Sequence, residues 1–228
     1  MGRGGGGNRK ILKVVMKVAI VDYGSGNLRS AQKALARAGS ELGESCEIIV
    51  TAEVEAVARA DRVVLPGVGA VGDCMAGLKS ISGMTEALEK AVVRRGVPFL
   101  GICVGMQLLA KIGREFGEHE GLGWIDGEVV ALTPADPALK IPHMGWNSLT
   151  LLRKHRLFDG IESGDDVYFV HSFELRSRDA AEVIATTDYG NAVTAAVGRD
   201  NIVGVQFHPE KSQTVCIGIL KNFLLWKP

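Results

Sequence analysis

The sequence predicts an α/β fold: a mixed sheet that is parallel in its first half, with helices on both faces, and that gains antiparallel strands in its second half. Three observations carry this. Short apolar runs alternate with helix-period segments up to about residue 112, as in parallel sheets covered on both sides. From Trp124 onward short strand-like runs follow one another with little helix between them. The chain has 228 residues, 46% of them hydrophobic and 23% charged, ordinary values for a globular chain with a core of its own.

The elements follow in order. Lys17–Asp22 is a short apolar run ending in the glycine turn Tyr23–Gly26, which reads as a buried strand. Asn27 can cap a helix running to about Ala38, with Leu28, Ala31, Leu35 and Ala38 on one face. Cys46–Thr51 reads as a second strand, Glu53–Ala60 as a short helix, and Arg62–Leu65 as a third strand stopped by Pro66-Gly67. Met84–Arg95 is expected to be helical, Val97–Ile102 a strand, and the chain from Val104 to about Ile112 a helix. Strands are then expected at Gly127–Leu132, Val167–Val170, Glu182–Thr186, Ala192–Val197 and Ile202–Phe207, and a last helix at about Thr214–Trp226. Residues 1–15 read as a glycine-rich disordered extension and residues 16–228 as a single domain.

Composition narrows the function. Lys plus Arg total 26 and Asp plus Glu total 26, so no overall field draws the protein to nucleic acid or to an anionic membrane. The apolar stretch Ile11–Val21 carries Lys13 and Lys17 and is too short to span a bilayer. Cys46, Cys74, Cys103 and Cys216 are widely spaced, which suggests neither zinc nor a disulfide framework and fits reduced thiols in the cytoplasm. No metal and no cofactor is expected. Glycine is the outlier, 29 residues, about twice the usual ~7%.

Gly101-Ile-Cys103-Val-Gly105 is the most informative segment. An apolar strand runs straight into a helix with a thiol at the junction and glycines two residues to either side, the nucleophile-elbow pattern with sulfur in place of a hydroxyl. The glycines remove Cβ atoms that would clash in so sharp a turn, and a helix N-terminus favours a thiolate. A buried structural cysteine is the alternative on this segment alone. A thiol nucleophile needs a base, and the base an orienting group. His208-Pro209-Glu210 follows an apolar strand; residues i and i+2 of a strand point to one side, so His208 and Glu210 can meet. A surface histidine beside a solvated glutamate is the alternative there. The Gly24-Ser-Gly26 turn fails as a dinucleotide fingerprint, because Arg29 stands where the third glycine would fall.

Gly101-Ile-Cys103-Val-Gly105-Met-Gln107 together with Phe207-His208-Pro209-Glu210 resembles the class I, triad-type glutamine amidotransferases. Asp22-Tyr-Gly-Ser-Gly-Asn27, Leu65-Pro-Gly-Val-Gly69, Pro142-His-Met-Gly-Trp-Asn147, Tyr168-Phe-Val-His-Ser172 and His208-Pro-Glu-Lys-Ser212 are similar to the glutaminase-subunit family of imidazole glycerol phosphate synthase. The resemblance spans about Lys17 to Phe223 and implies a flavodoxin-like sheet. It implies that Cys103 attacks the side-chain amide of L-glutamine, with His208 as base and Glu210 as its orienter. One oxyanion donor is the Val104 N–H, just past the nucleophile. The resemblance takes the other from the Pro66–Gly69 strand, at Gly67 and Val68, which is thought to reorient when the partner is loaded. It carries glutamine binding to Gly69, Gln107, Glu115, Ser172 and Phe173, where Ser172 and Phe173 replace an expected Thr and Tyr. It implies a partner, a (β/α)₈-barrel cyclase subunit that receives the ammonia in histidine biosynthesis, and an interface at Asn27, Trp146, Asn147 and Lys211. The glutaminase subunit of another ammonia-channelling amidotransferase, a cysteine hydrolase of the same fold and a non-catalytic binding module are the competing readings.

Overall fold

A computed structural model describes residues 15–211 and 214–228. The glycine-rich segment expected to be disordered lies, apart from Val15, outside the described residues, as do Ser212 and Gln213.

Strands β1 (Met16–Val21), β2 (Cys46–Thr51), β3 (Arg62–Gly67) and β4 (Phe99–Cys103) form the parallel half. Helix α1 (Leu28–Leu42) follows β1, and α2 (Val54–Arg59) follows β2. Helix α3 (Val71–Ser80) follows β3, and α4 (Met84–Leu88) runs on into a wider π-helical stretch, Glu89–Arg94. Every residue of β3 and β4 is buried, which is why both read as unbroken apolar runs with no alternation. Helix α1 buries Ala31, Leu35 and Ala38, as its spacing predicts. It continues past Ala38 and stops at Gly43, whose φ of 67° and N–H to the Gly39 and Ser40 carbonyls close the helix. Asn27 precedes α1 but makes no side-chain capping bond; its amide is used elsewhere.

Beyond β4 the expectation of a helix from Val104 to Ile112 is wrong. Helix α5 covers only Val104–Gln107, and strand β5 (Ala110–Gly113) follows. The carbonyls of Leu108, Leu109 and Ala110 are taken by the amides of Leu122, Ile125 and Gly123 instead of by the next helical turn. Strand β6 (His119–Glu120) and strand β7 (Ile125–Ala131) join β5. The remaining strands are β8 (His143–Leu151), β9 (Asp166–His171), β10 (Phe173–Ser177), β11 (Val183–Asp188), β12 (Ala192–Arg199) and β13 (Ile202–Val205). The last helix, α6, is Thr214–Leu225.

The larger sheet has nine strands in the order β2-β1-β3-β4-β13-β12-β11-β8-β9, antiparallel from β13 outward except where β13 lies parallel to β4. Strands β7 and β10 do not extend it. They form a separate four-stranded sheet, β10-β7-β5-β6, which the sequence did not separate from the first. Strands β3, β4 and β13 run parallel at the centre, with Gly67 opposite Cys103 and Val205 opposite Ile102. Their C-terminal ends therefore open at one edge, the place where open α/β sheets bind ligands. Buried Arg62 at the start of β3 donates to the carbonyls of Phe223, Leu224 and Trp226, tying the end of α6 to the sheet.

Candidate active site

Strand β4 passes directly into α5 at Cys103, whose φ is 55°. A non-glycine residue in this region is strained by about 1–3 kcal/mol and persists only where its surroundings enforce it. The enforcement is steric. A Cβ on Gly105 would lie 1.7 Å from the Leu65 carbonyl oxygen, and one on Gly101 would lie 2.5 Å from the Gly105 oxygen. The turn is pressed between β3 and its own helix, as the glycine spacing predicts. Helix α5 is a single turn, shorter than the sequence suggests.

His208 reaches the same edge because β13 lies beside β4. Its Nδ1 is 2.7 Å from Glu210 Oε1, and both side chains are buried. The pairing is as expected, but its cause differs. Strand β13 stops at Val205, and Pro209–Lys211 is a 3₁₀ turn, so the two side chains meet across that turn and not along a strand. Asn27 Nδ2 donates to the same Oε1 at 3.3 Å. Burial pulls the His208 imidazole down, but the neighbouring Cys103 sulfur and the Glu210 carboxylate outweigh it and raise the ring to about 10. His208 Nε2 is buried as well. The site thus favours the imidazolium form of His208.

The Pro66–Gly69 strand is held firmly. The Val68 N–H donates to Ser25 Oγ at 3.0 Å, and Ser25 Oγ donates to the Val68 carbonyl at 2.7 Å. Buried Cys74 donates to the same carbonyl at 3.3 Å, and Tyr23 Oη donates to the Pro66 carbonyl at 2.7 Å. In this conformation the Val68 N–H is committed to Ser25. Gly69 has a φ of 93°, a conformation glycine adopts without penalty. Gly67 serves close packing: a Cβ there would lie 2.7 Å from Tyr23 Oη.

A cavity of about 690 Å³ lies over the sheet edge, within the range of small-molecule sites. Cys103, Val104 and His208 line it together with Gly69, Gln107, Glu115, Ser172 and Phe173, so the expected glutamine-binding residues and Cys103 share one space. Glu115 Oε2 accepts the Val71 N–H at the start of α3. Gln107 Nε2 donates to the Phe173 carbonyl at 3.0 Å and to Gln206 Oε1 at 2.9 Å. Sequence reasoning missed Ala70, Asp73, Phe116, Pro142, Val170 and His171, which also line the cavity. Phe116 stands 91% exposed at φ 55°.

His171 belongs to a polar chain behind the cavity. Its Nδ1 lies 2.9 Å from the Phe173 carbonyl and its Nε2 3.0 Å from His143 Nδ1, while Asn147 Nδ2 lies 3.2 Å from His143 Nε2. A carbonyl only accepts and an amide nitrogen only donates, so both rings carry their proton on Nδ1. Burial pushes both down to about 4, which keeps them neutral at neutral pH.

The expected interface residues divide. Trp146 is 45% exposed, so it is not a core tryptophan. It stands edge-on to Tyr168, whose ring also carries Lys211 Nζ 4.3 Å from its centroid. Met144 and Ile141 are exposed nearby. Asn27 and Lys211 are exposed at the cavity wall. Asn147 points to the other face of β8, towards His143 and the Asp188 carbonyl, as alternation along the strand requires. Its side chain is not part of the exposed face.

Among the described residues no group of three or more His, Cys, Asp or Glu is placed to hold a metal ion, and no helix is long and apolar enough to cross a membrane. Cys46, Cys74 and Cys103 are free thiols.

Comparison with known proteins gives the family. Residues 19–226 match the model of the family described as glutamine amidotransferase class-I. The chain is 59% identical over 214 residues to a Rhodospirillum rubrum protein named imidazole glycerol phosphate synthase subunit HisH, and 57% identical over 216 residues to the Agrobacterium fabrum protein of that name. Each alignment covers 93% of this chain and all of the relative. Among solved structures, a glutamine amidotransferase matches with a TM-score of 0.67 at 20% identity, over 91% of this chain and 97% of the other. A glutamine amidotransferase from Thermotoga maritima matches with a TM-score of 0.65 at 16% identity, over 92% of this chain and 96% of the other. These two likenesses show the fold alone. The chain belongs to the class-I glutamine amidotransferases and, within them, to the family of imidazole glycerol phosphate synthase HisH subunits.

Proposed function

We propose that this chain is the glutaminase subunit of an imidazole glycerol phosphate synthase. It hydrolyses L-glutamine to glutamate and ammonia and delivers the ammonia to a (β/α)₈-barrel cyclase subunit in the cytoplasm, as part of histidine biosynthesis. Residues 16–228 act as one domain in this role. The observation that carries the reading is a thiol on a strained elbow sharing a cavity with the buried His208–Glu210 pair.

The Cys103 thiolate attacks the side-chain amide carbon of glutamine, and the carbonyl oxygen becomes an oxyanion. The N–H groups of Val104 and, after reorientation, Val68 receive that charge. His208 gives its proton to the leaving nitrogen, the C–N bond breaks, and ammonia departs from a γ-glutamyl thioester. Water, deprotonated by His208, then cleaves the thioester and returns the thiol. Glu210 holds the ring throughout. Gly69, Gln107, Glu115, Ser172 and Phe173 hold the substrate. Because Phe173 is engaged in the observed network through its backbone carbonyl, the missing tyrosine hydroxyl leaves those bonds intact. Ammonia released into water would be protonated and lose its nucleophilicity, so a sealed partner is a chemical requirement.

Mixing the purified chain with the barrel cyclase and its nucleotide ligand tests the proposal. Glutamate should form slowly from the chain alone and much faster in the mixture. Equal rates in both overturn the gating, and no glutamate in either overturns the function.

Two further outcomes follow. The Ser25 hydroxyl bonds both the N–H and the C=O of Val68, and reorienting that peptide must break these bonds, each worth about 1 kcal/mol. Ser25→Ala should therefore raise the partner-free glutaminase rate by about five- to thirtyfold; a fall in the basal rate would remove Ser25 from the gate. Trp146→Ala should weaken association by about thirtyfold or more, the size typical of an aromatic anchor, as read by titration calorimetry. Unchanged affinity would place the interface elsewhere.

A further inference from the structure

Behind the nucleophile lies a chain of amides that the triad does not include. Gln206 is fully buried. Its Nε2 lies 3.6 Å from Cys103 Sγ, and its Oε1 accepts from Gln107 Nε2 at 2.9 Å. Gln107 Nε2 also donates to the Phe173 carbonyl at 3.0 Å.

The orientation of a side-chain amide must be deduced from its partners. Here the deduction has a firm start. The Phe173 backbone carbonyl can only accept, so Gln107 turns its NH₂ group towards it. The second hydrogen of that NH₂ then meets Gln206, which must present oxygen. Gln206 is left with its own NH₂ facing the sulfur. One backbone carbonyl thus sets the polarity of two side chains in series, and the sulfur receives a donor. A donor stabilises a thiolate more than a thiol, because hydrogen bonds to a charged acceptor are the stronger ones.

We propose that Gln206 is a fourth functional residue of the nucleophile site: its amide N–H holds the Cys103 thiolate, and Gln107 and the Phe173 carbonyl hold Gln206 in that sense. The proposal rests on the assignment of Cys103 as nucleophile. It gives Gln107 a second task, since the residue that lines the substrate cavity also orients the donor to the sulfur.

The test compares Gln206→Glu with the parent, as full-length chains and with the cyclase present for turnover. Glutamate at this position keeps the oxygen that accepts from Gln107 and replaces the donor to the sulfur by an acceptor. The second-order rate of Cys103 alkylation by iodoacetamide at pH 7, with the modified residue located by mass spectrometry, should fall about ten- to a hundredfold. Glutaminase kcat should fall similarly, while KM for glutamine stays within about threefold because the Gln107 bond survives. Gln206→Met, close in volume and without polar atoms, should show the same loss of alkylation, and it carries the comparison if the buried carboxylate prevents folding. Alkylation within twofold of the parent in a folded variant overturns the proposal, as does a loss confined to KM and melting temperature. Failure of the underlying assignment looks different: Cys103→Ala would then keep its glutaminase activity, whatever Gln206 does.

Discussion

Cys103→Ala is expected to remove glutamine hydrolysis almost completely, lowering the rate with the cyclase present by about 10⁴-fold or more. Alanine leaves no group that can form the thioester. The oxyanion donors and the substrate contacts remain, but by themselves they activate only water, poorly. The loss should be confined to the glutamine-dependent reaction. If this chain only supplies ammonia, then ammonia added at a pH where much of it is unprotonated should bypass the defect and restore product formation by the cyclase. The pair of measurements, glutamate release and ammonia-dependent product, therefore locates the fault. Surviving glutamate release would refute Cys103 as nucleophile, and failure of the ammonia bypass would show that the chain does more than feed its partner. Fold should be kept, because Cys103 owes its position to Gly101, Gly105 and the β3–β4 pairing.

The second large effect is expected at Glu210. Glu210→Gln is nearly isosteric, yet it should lower kcat by about 10³- to 10⁴-fold. The carboxylate can only accept, so its 2.7 Å bond keeps a proton on His208 Nδ1 and leaves Nε2 free to take and give the reacting proton. A glutamine can turn its NH₂ to Nδ1 and trap the opposite tautomer. The buried imidazolium would also lose one of the two partners that hold it high; with only the Cys103 sulfur left to oppose burial, the ring should titrate below its present value of about 10. The acidic limb of the kcat profile would change with it, and the measurement is kcat against pH from 5 to 9 for parent and variant. A variant within tenfold of the parent at every pH would reduce Glu210 to a packing role.

How much of this was legible in the residues depended on whether local geometry was forced. The elbow could be read because Gly101 and Gly105 are there for one steric reason, and the structure shows the clash that each avoids. The central strands could be read because strands buried on both faces are apolar throughout. Helix α3 was missed because Gly72 and Gly77 interrupt a helical pattern. Both are imposed from outside: a Cβ on Gly77 would lie 2.8 Å from the Tyr23 carbonyl oxygen, and one on Gly72 as close to the His119 ring. Strand β8, with Gly145 inside it, Met144 and Trp146 on its exposed face and His143 buried on the other, lacks the apolar-in, polar-out alternation of a strand and is held by β9 and β11. The stretch after α5 misled because an apolar run of that length suits helix or strand equally, and the segment from Gly121 to Ile125 decides the matter. Ser25 gave no signal, since its task depends on a backbone 43 residues away. Gln206 gave none either, since β13 stops at Val205 and no strand alternation links it to His208.

Asn27 offers a last consequence. Its exposed amide touches the Glu210 carboxylate oxygen that bonds the His208 ring. In the proposed complex, one side chain therefore belongs both to the surface that meets the partner and to the group that steers the proton. Such sharing limits how the two proteins can diverge. A substitution on the cyclase that shifts Asn27 changes chemistry as well as affinity, so partner and nucleophile site must co-evolve here. Grafting this chain onto a distant cyclase should fail first in turnover, before it fails in binding.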